Sequence, residues 1–162
     1  MNQLIKLIGV GSPQLNDDIG WQIADSCRQA SILQPYLKQK HIQVITLDRP
    51  GTRLLPLIAD ASMVILFDAV IGEEPLTVIR AEDIAIYHQT ELLSTHGFGL
   101  AETMRLAQAL NQLPEKVIFY GISVDPWQAL PAGDFQNAAQ KIIDQVVIDL
   151  KQIEITANVN NH

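Results

Sequence analysis

Side chains able to do metal or acid–base chemistry stand where apolar runs of this chain stop. Asp17 and Asp18 follow the run at residues 4–10, Asp68 closes the run at 63–67, and His96 immediately precedes an amphipathic stretch at 97–110. Two carboxylate loops and one imidazole suit a borderline divalent cation, and a neutral imidazole favours zinc, copper, iron or nickel over magnesium or calcium. The same set is also competent for general acid and base work. Each member has a plainer explanation. The helix macrodipole alone favours Asp17 and Asp18 at the start of a helix, Asp68 is able to cap a turn, and His96 is able to hydrogen-bond near a helix start. Three unrelated capping residues have no reason to converge on one sheet edge, so their joint placement is what points to a site.

Other chemical motifs are weaker. Gly9-Val10-Gly11 resembles the start of a dinucleotide fingerprint, but the sequence continues Ser12-Pro13-Gln14, with Gln14 where the third glycine belongs. There is no phosphate-loop Lys-Ser or Lys-Thr after a glycine run, and no Gly-x-Ser-x-Gly elbow. Cys27 falls on the apolar face of a helix, where a small core residue is expected rather than a nucleophile. His41, His88 and His162 lack partners in sequence and read as surface residues. Trp21 and Trp127 suit either packing or a partner surface, and the sequence does not separate the two.

The elements that must position these groups follow from periodicity. Residues 4–10 form a continuous apolar run between glycines, the pattern of a buried parallel strand feeding a tight loop. Asn16 is a good N-cap, and Ile19, Ile23, Ala24, Cys27 and Ala30 recur at helical spacing after it. Residues 42–47 alternate as a second strand, Arg49-Pro50-Gly51 breaks the chain, and Thr52 is placed to cap a short helix through Ile58. The third strand, 63–67, stops at Asp68. Only seven residues separate Asp68 from the strand-like stretch 76–80, too few for a parallel crossover of roughly a dozen residues, so strand four is expected antiparallel to strand three. Residues 81–96 make a long mixed stretch of the kind that carries function. A helix from Gly97 is stopped by Pro114, a fifth strand spans 117–122, and Asp134 is placed to cap a long last helix with Ala138, Ile142, Val146 and Leu150 aligned. Strands alternating with helices predict a doubly wound α/β sheet with right-handed connections. In such sheets ligands bind beyond the carboxyl ends of the parallel strands, the edge that carries Asp17, Asp18, Asp68 and His96.

Composition narrows the classes of function. The chain has 162 residues, 48% apolar and 18% charged, which predicts one domain over 1–155 with a sizeable core and a frayed tail at 156–162. A net charge of −7 disfavours a grip on nucleic acid or on anionic lipid. One cysteine excludes an internal disulfide and fits a reducing cytoplasm. The apolar opening contains Lys6 and has no cleavage-site pattern, and no window reaches the ~18 uncharged apolar residues of a membrane span. No repeat of 20–50 residues is present, and nothing in the chain demands more than a monomer.

The residues GVGSPQLNDDIG, VILFDAV, the Pro75-Leu76-Thr77 strand start, STHGFGLAETM and VIFYGIS, in that order and over most of the chain, resemble the hydrogenase maturation proteases, which trim the C-terminus of the large subunit of nickel-iron hydrogenases. The resemblance implies a phosphorylase/hydrolase-like three-layer α/β sandwich with a five-stranded, mostly parallel twisted sheet and one antiparallel strand. It implies a nickel-recognition triad of Asp18, Asp68 and His96, which the resemblance also makes the catalytic set. The nickel belongs to the hydrogenase large-subunit precursor, which is the implied partner. A loosely held three-ligand site suits inspection of a metal already delivered, with weak direct binding of a divalent metal as the corollary, because a closed tight site would extract it. Water would then attack the scissile carbonyl, with Asp17 and Asp68 both candidates for the base.

The sequence departs from the family pattern in three places. Ser12 stands where the family has Asn, Asp17-Asp18-Ile19-Gly20 is compressed relative to the usual acid–glycine segment, and the stretch around Gly51-Thr52 is shorter. The compressed loop keeps a second reading in play, a non-catalytic nickel-sensing or chaperone-like module that binds the same precursor. A nucleotide-binding module is a third, resting on Gly9 and Gly11 alone.

Overall fold

The computed structural model describes residues 3–39, 41–72, 74–82, 100–125 and 127–160. The long stretch expected to carry function, with His96 and His88, lies almost wholly outside the described residues.

Five strands form one sheet: β1 (Ile5–Gly11), β2 (Ile42–Asp48), β3 (Met63–Ile71), β4 (Val78–Ala81) and β5 (Lys116–Val124), in the order β2-β1-β3-β5-β4. All neighbours are parallel except β4, which pairs antiparallel with β5. Strand four therefore does run against strand three, although its partner is β5. The helices are α1 (Ile19–Gln29), α2 (Gln34–Lys38), α3 (Leu54–Ala59), α4 (Leu100–Ala109) and α5 (Ala132–Asn160). The last of these continues in helical form past Glu154 to Asn160.

Strand alternation sorts the core into two faces. Ile5 and Leu7 of β1, Ile65 and Phe67 of β3, and Ile118 and Tyr120 of β5 pack with Ile19, Ile23 and Cys27 of α1 and with Ile142, Val146 and Leu150 of α5. Ile8, Val64, Leu66, Val117 and Phe119 face the other way, against Leu54 and Ile58 of α3 and Leu100, Met104 and Ala107 of α4. The result is a three-layer α/β sandwich. The strands are buried on both faces, which is why they read as unbroken apolar runs.

Two charged clusters are built into this apolar frame. Lys6 in β1 is buried and donates to the Leu57 carbonyl and to Asp60, each at 2.6 Å. On the other face Asp149 of α5 is fully buried and accepts from the Tyr120 hydroxyl and, at 2.6 Å, from Arg80 of the edge strand β4. Burial and the bond to Asp149 push the Tyr120 phenol well above its ordinary range. This triad fastens the short edge strand to the longest helix, and nothing in the apolar periodicity of α5 announces it.

Several boundaries differ from those expected. The sequence pattern places one helix from about Asp17 into the thirties; the structure ends α1 at Gln29, where Ala30 turns extended, and resumes with a short 3-10 turn and α2. Asn16 does not cap α1, because Asp18 holds the cap position and Asn16 has a left-handed backbone, φ 62°. Thr52 sits inside a 3-10 turn (Gly51–Arg53), and Asp134 lies in the first turn of α5, so neither is a cap. Strand β3 runs on past Asp68 to Ile71, because the ladder with β5 satisfies its backbone regardless of one ionisable side chain.

Candidate functional site

The order of the strands reverses between β1 and β3, the switch point at which open α/β sheets leave a crevice. The registers show where it opens. β1 stays paired with β2 to Gly11 and Asp48, and β3 stays paired with β5 to Ile71 and Val124, but β1 and β3 part after Gly9 and Phe67. Asp68 is the first residue of β3 beyond that parting.

The start of α1 is seated in the same fork. A Cβ on Gly20 would overlap the carbonyl oxygens of Val10 and Phe67, and one on Gly9 would overlap the carbonyl of Gly20. Glycine at both positions lets the helix close onto the sheet backbone, and this contact sets Asp18 at the helix N-terminus two residues from the Phe67 carbonyl contact. Gly9 thus has a packing role that accounts for it without any nucleotide.

The two acids of the β1–α1 loop are not equivalent. Asp17 is buried, its carboxylate accepts the Ser12 hydroxyl, and its carbonyl accepts the Ser12 N–H at 3.1 Å. Ser12 and Asp17 therefore close the loop on itself. Asp18 is half-buried and makes no side-chain bond to the helix it precedes, so its carboxylate is not consumed by capping.

Asp68 is 1% exposed and shares the α3/α4 face of β3 with Leu66 and Val70. One carboxylate oxygen accepts the N–H of Ala69 at 2.8 Å. Beside it in register is Gly121 of β5, and one step further along that face is Ser123, whose buried hydroxyl has no hydrogen-bond partner among the described residues. Helix α4 packs on this same face from Leu100 onward. His96, four residues earlier in the chain, lies outside the described residues, so the structure seats the start of α1, preceded by Asp18, against the Phe67 carbonyl next to Asp68 and does not bear on the histidine. Among the described residues no group of three or more His, Cys, Asp or Glu is placed to hold a metal ion.

Strain accumulates at this edge. Of the non-glycine residues with positive φ, Asn16 stands in the β1–α1 loop, Arg49 directly after β2 and Leu76 between β3 and β4. For a leucine the conformation is a genuine outlier, and such residues persist where the surroundings over-determine them. Leu76 is held by its N–H to the Ser123 carbonyl at 2.6 Å. Asn16 is held by its side chain, whose Nδ2 donates to the carbonyls of Asp125 at 2.7 Å and Gln128 at 2.6 Å. This long-range tie between the β1–α1 and β5–α5 loops is invisible in sequence, where Asn before a helix reads as a cap.

The tryptophans separate. Trp21 is half-buried and donates its indole N–H to the Leu47 carbonyl at 2.8 Å, whereas Trp127 is 87% exposed. Cys27 is fully buried, and desolvation pushes its thiol up to about 12, which makes it inert at neutral pH. No helix among the described residues is long and apolar enough to cross a membrane.

Comparison with known proteins agrees with this architecture. A family model for HycI, hydrogenase maturation protease, matches residues 27–152, a span that begins after the β1–α1 loop. The chain is 24% identical over 161 residues to the hydrogenase 2 maturation protease of Escherichia coli K12, covering 94% of each chain. Among solved structures it resembles the hydrogenase maturating endopeptidase HybD of E. coli, with a TM-score of 0.71, 21% identity and 93% of each chain covered. It also resembles the nickel-iron hydrogenase maturation protease HycI of Thermococcus kodakarensis, with a TM-score of 0.64, 18% identity and coverage of 92% and 93%. At these identities the structural likenesses establish the fold.

Proposed function

The chain belongs to the hydrogenase maturation protease family, and on that premise we propose that it is an endopeptidase that removes the C-terminal extension of a nickel-iron hydrogenase large-subunit precursor after recognising the nickel that the precursor carries. The observation that supports the proposal is the β1/β3 fork itself, where the strands part just before Asp68 and Gly20 lets the start of α1, preceded by Asp18, close onto the Phe67 carbonyl.

In this reading Asp18, Asp68 and His96 dock the precursor's nickel and so fix the scissile bond against the fork. Two carboxylate oxygens and one imidazole are few enough ligands to sense a metal that another protein holds without stripping it away. Water attacks the peptide carbonyl, the C–N bond breaks, and the departing amine takes up a proton. Asp17 closes its own loop with Ser12, which favours a shaping role for it, and the base is assigned to Asp68, the first residue of β3 beyond the fork. Ser12, which stands where the family has Asn, closes the loop onto Asp17, so this departure is compatible with the same chemistry.

The test is incubation of the large-subunit precursor from the same organism, nickel-loaded or metal-free, with the wild-type protein and with the Asp18→Asn, Asp68→Asn and His96→Ala variants. Mass spectrometry reads the products. Loss of one defined C-terminal peptide, only from loaded precursor and abolished by each variant, is the expected result. Normal processing by Asp68→Asn would remove the role given to Asp68, and stable binding without cleavage by the wild type would favour the non-catalytic, chaperone-like module.

A further inference from the structure

Beside the fork the protein exposes apolar surface that its own core does not use. Leu15 is 54% exposed and Trp127 87% exposed. They lie in different loops, but Asn16 joins these loops by donating to the carbonyls on either side of Trp127, those of Asp125 and Gln128. Leu15 and Trp127 therefore flank one joint. The loop bearing the indole is itself braced, since the Trp127 N–H donates to the Asp125 carboxylate at 2.8 Å. A braced backbone beneath an exposed indole lowers the entropy that the loop loses when it binds, and tryptophan is among the residues that dominate interface energetics.

The charge around this joint is mostly negative. Residues 12–18 and 125–134, which span the two loops, contain four aspartates and no lysine or arginine, and the base set against them is Arg49, whose backbone N–H donates to the Gly11 carbonyl at 2.9 Å. An exposed indole amid carboxylates suits a cationic side chain whose methylene stem lies along the ring while its head meets the acids.

Resting on the maturation-protease reading, we propose that Trp127 and Leu15 form a docking ledge beside the Asp18/Asp68 fork for a segment of the precursor that carries a lysine or arginine next to an apolar residue. The ledge gives affinity and register to the bound chain, while the fork performs the cleavage. Trp127 is accordingly a specificity-determining residue and takes no part in bond breaking.

The experiment uses the full chain and the nickel-loaded precursor, with Trp127→Ala, Trp127→Phe and Asp134→Lys, an exposed site in the first turn of α5. Steady-state processing and, separately, biolayer binding of the precursor are measured at low and high salt, with thermal unfolding as a control on folding. The expected result for Trp127→Ala is a KM and Kd raised about tenfold, kcat within about twofold of wild type and an unchanged melting temperature. Trp127→Phe should recover most of the affinity, and Asp134→Lys should weaken binding and flatten its salt dependence. Unchanged KM and Kd for Trp127→Ala beside an active wild type overturns the ledge and leaves the protease reading intact. A wild type that binds but does not cleave, with binding weakened by Trp127→Ala, keeps the ledge and overturns the protease reading. Weakening by Trp127→Ala with no response to Asp134→Lys or to salt overturns the cationic part of the ligand.

Discussion

Replacing Asn16 tests whether the two loops at the carboxyl edge are held together as the geometry requires. One amide donates two hydrogen bonds, at 2.7 and 2.6 Å, to carbonyls more than a hundred residues away. At about 0.5–1.5 kcal/mol net for each bond, their loss costs about 1–3 kcal/mol. Alanine carries a second cost of about 1 kcal/mol, because it tolerates a left-handed backbone less well than asparagine. Asn16→Gly loses the bonds but keeps the backbone freedom. The expectation is therefore a loss of about 2–4 kcal/mol for Asn16→Ala and about 1–3 for Asn16→Gly, the alanine variant being the worse by about 1 kcal/mol. Urea titrations at a fixed m-value give both numbers directly. Precursor processing should fall in both variants while each remains folded, since the loop carrying Asp18 loses its anchor. If both variants unfold within about 0.5 kcal/mol of wild type, or if glycine is the worse of the two, the tie contributes nothing and the reasoning fails.

Two further outcomes are expected. Gly20→Ala drives a methyl group into the Val10 and Phe67 carbonyls, and neither backbone can yield, so chemical denaturation should show a loss of at least about 3 kcal/mol or no cooperative transition. Cys27, with its thiol pushed up to about 12 by burial, should resist thiol reagents at pH 8 until the protein is unfolded. Because its folded-state pKa is raised, the stability it contributes is complete below the unfolded value near pH 9 and is lost as the pH climbs towards 12. The difference in unfolding free energy between wild type and Cys27→Ala should therefore shrink over that window and be flat below it.

Much of the architecture is legible in the residues alone. Unbroken apolar runs at β1, β3 and β5 mark strands covered on both faces, and the short span between Asp68 and β4 forces a reversal of direction. These are local consequences of side-chain period and chain reach. The places where the reading slipped are also specific. The sequence pattern ends strand three at Asp68, because an ionisable group ends an apolar pattern, yet the β5 ladder carries the strand to Ile71. Asn16 reads as a cap, because local chemistry favours Asn there, and a partner more than a hundred residues away claimed its amide instead.

The candidate site divides along the same line. The ends of apolar runs named Asp17, Asp18 and Asp68 from sequence and the start of an amphipathic stretch named His96, while the family resemblance singled out Asp18 from the acid pair. What sequence left undivided was the pair Asp17 and Asp18, since both are acids ahead of a helix. The fold separates them by giving one to Ser12 and leaving the other at the helix terminus.

Composition and periodicity by themselves determined the class of fold, the direction of β4 and the sheet edge to search, because each depends on neighbours a few residues apart. Only the tertiary structure decided that β1 and β3 part at Gly9 and Phe67, that Gly20 wedges α1 into the gap, and that one tryptophan is tied down while the other is exposed. Those outcomes depend on backbone contacts between segments distant in the chain, and a one-dimensional pattern of side chains does not record which distant carbonyl a given group will meet.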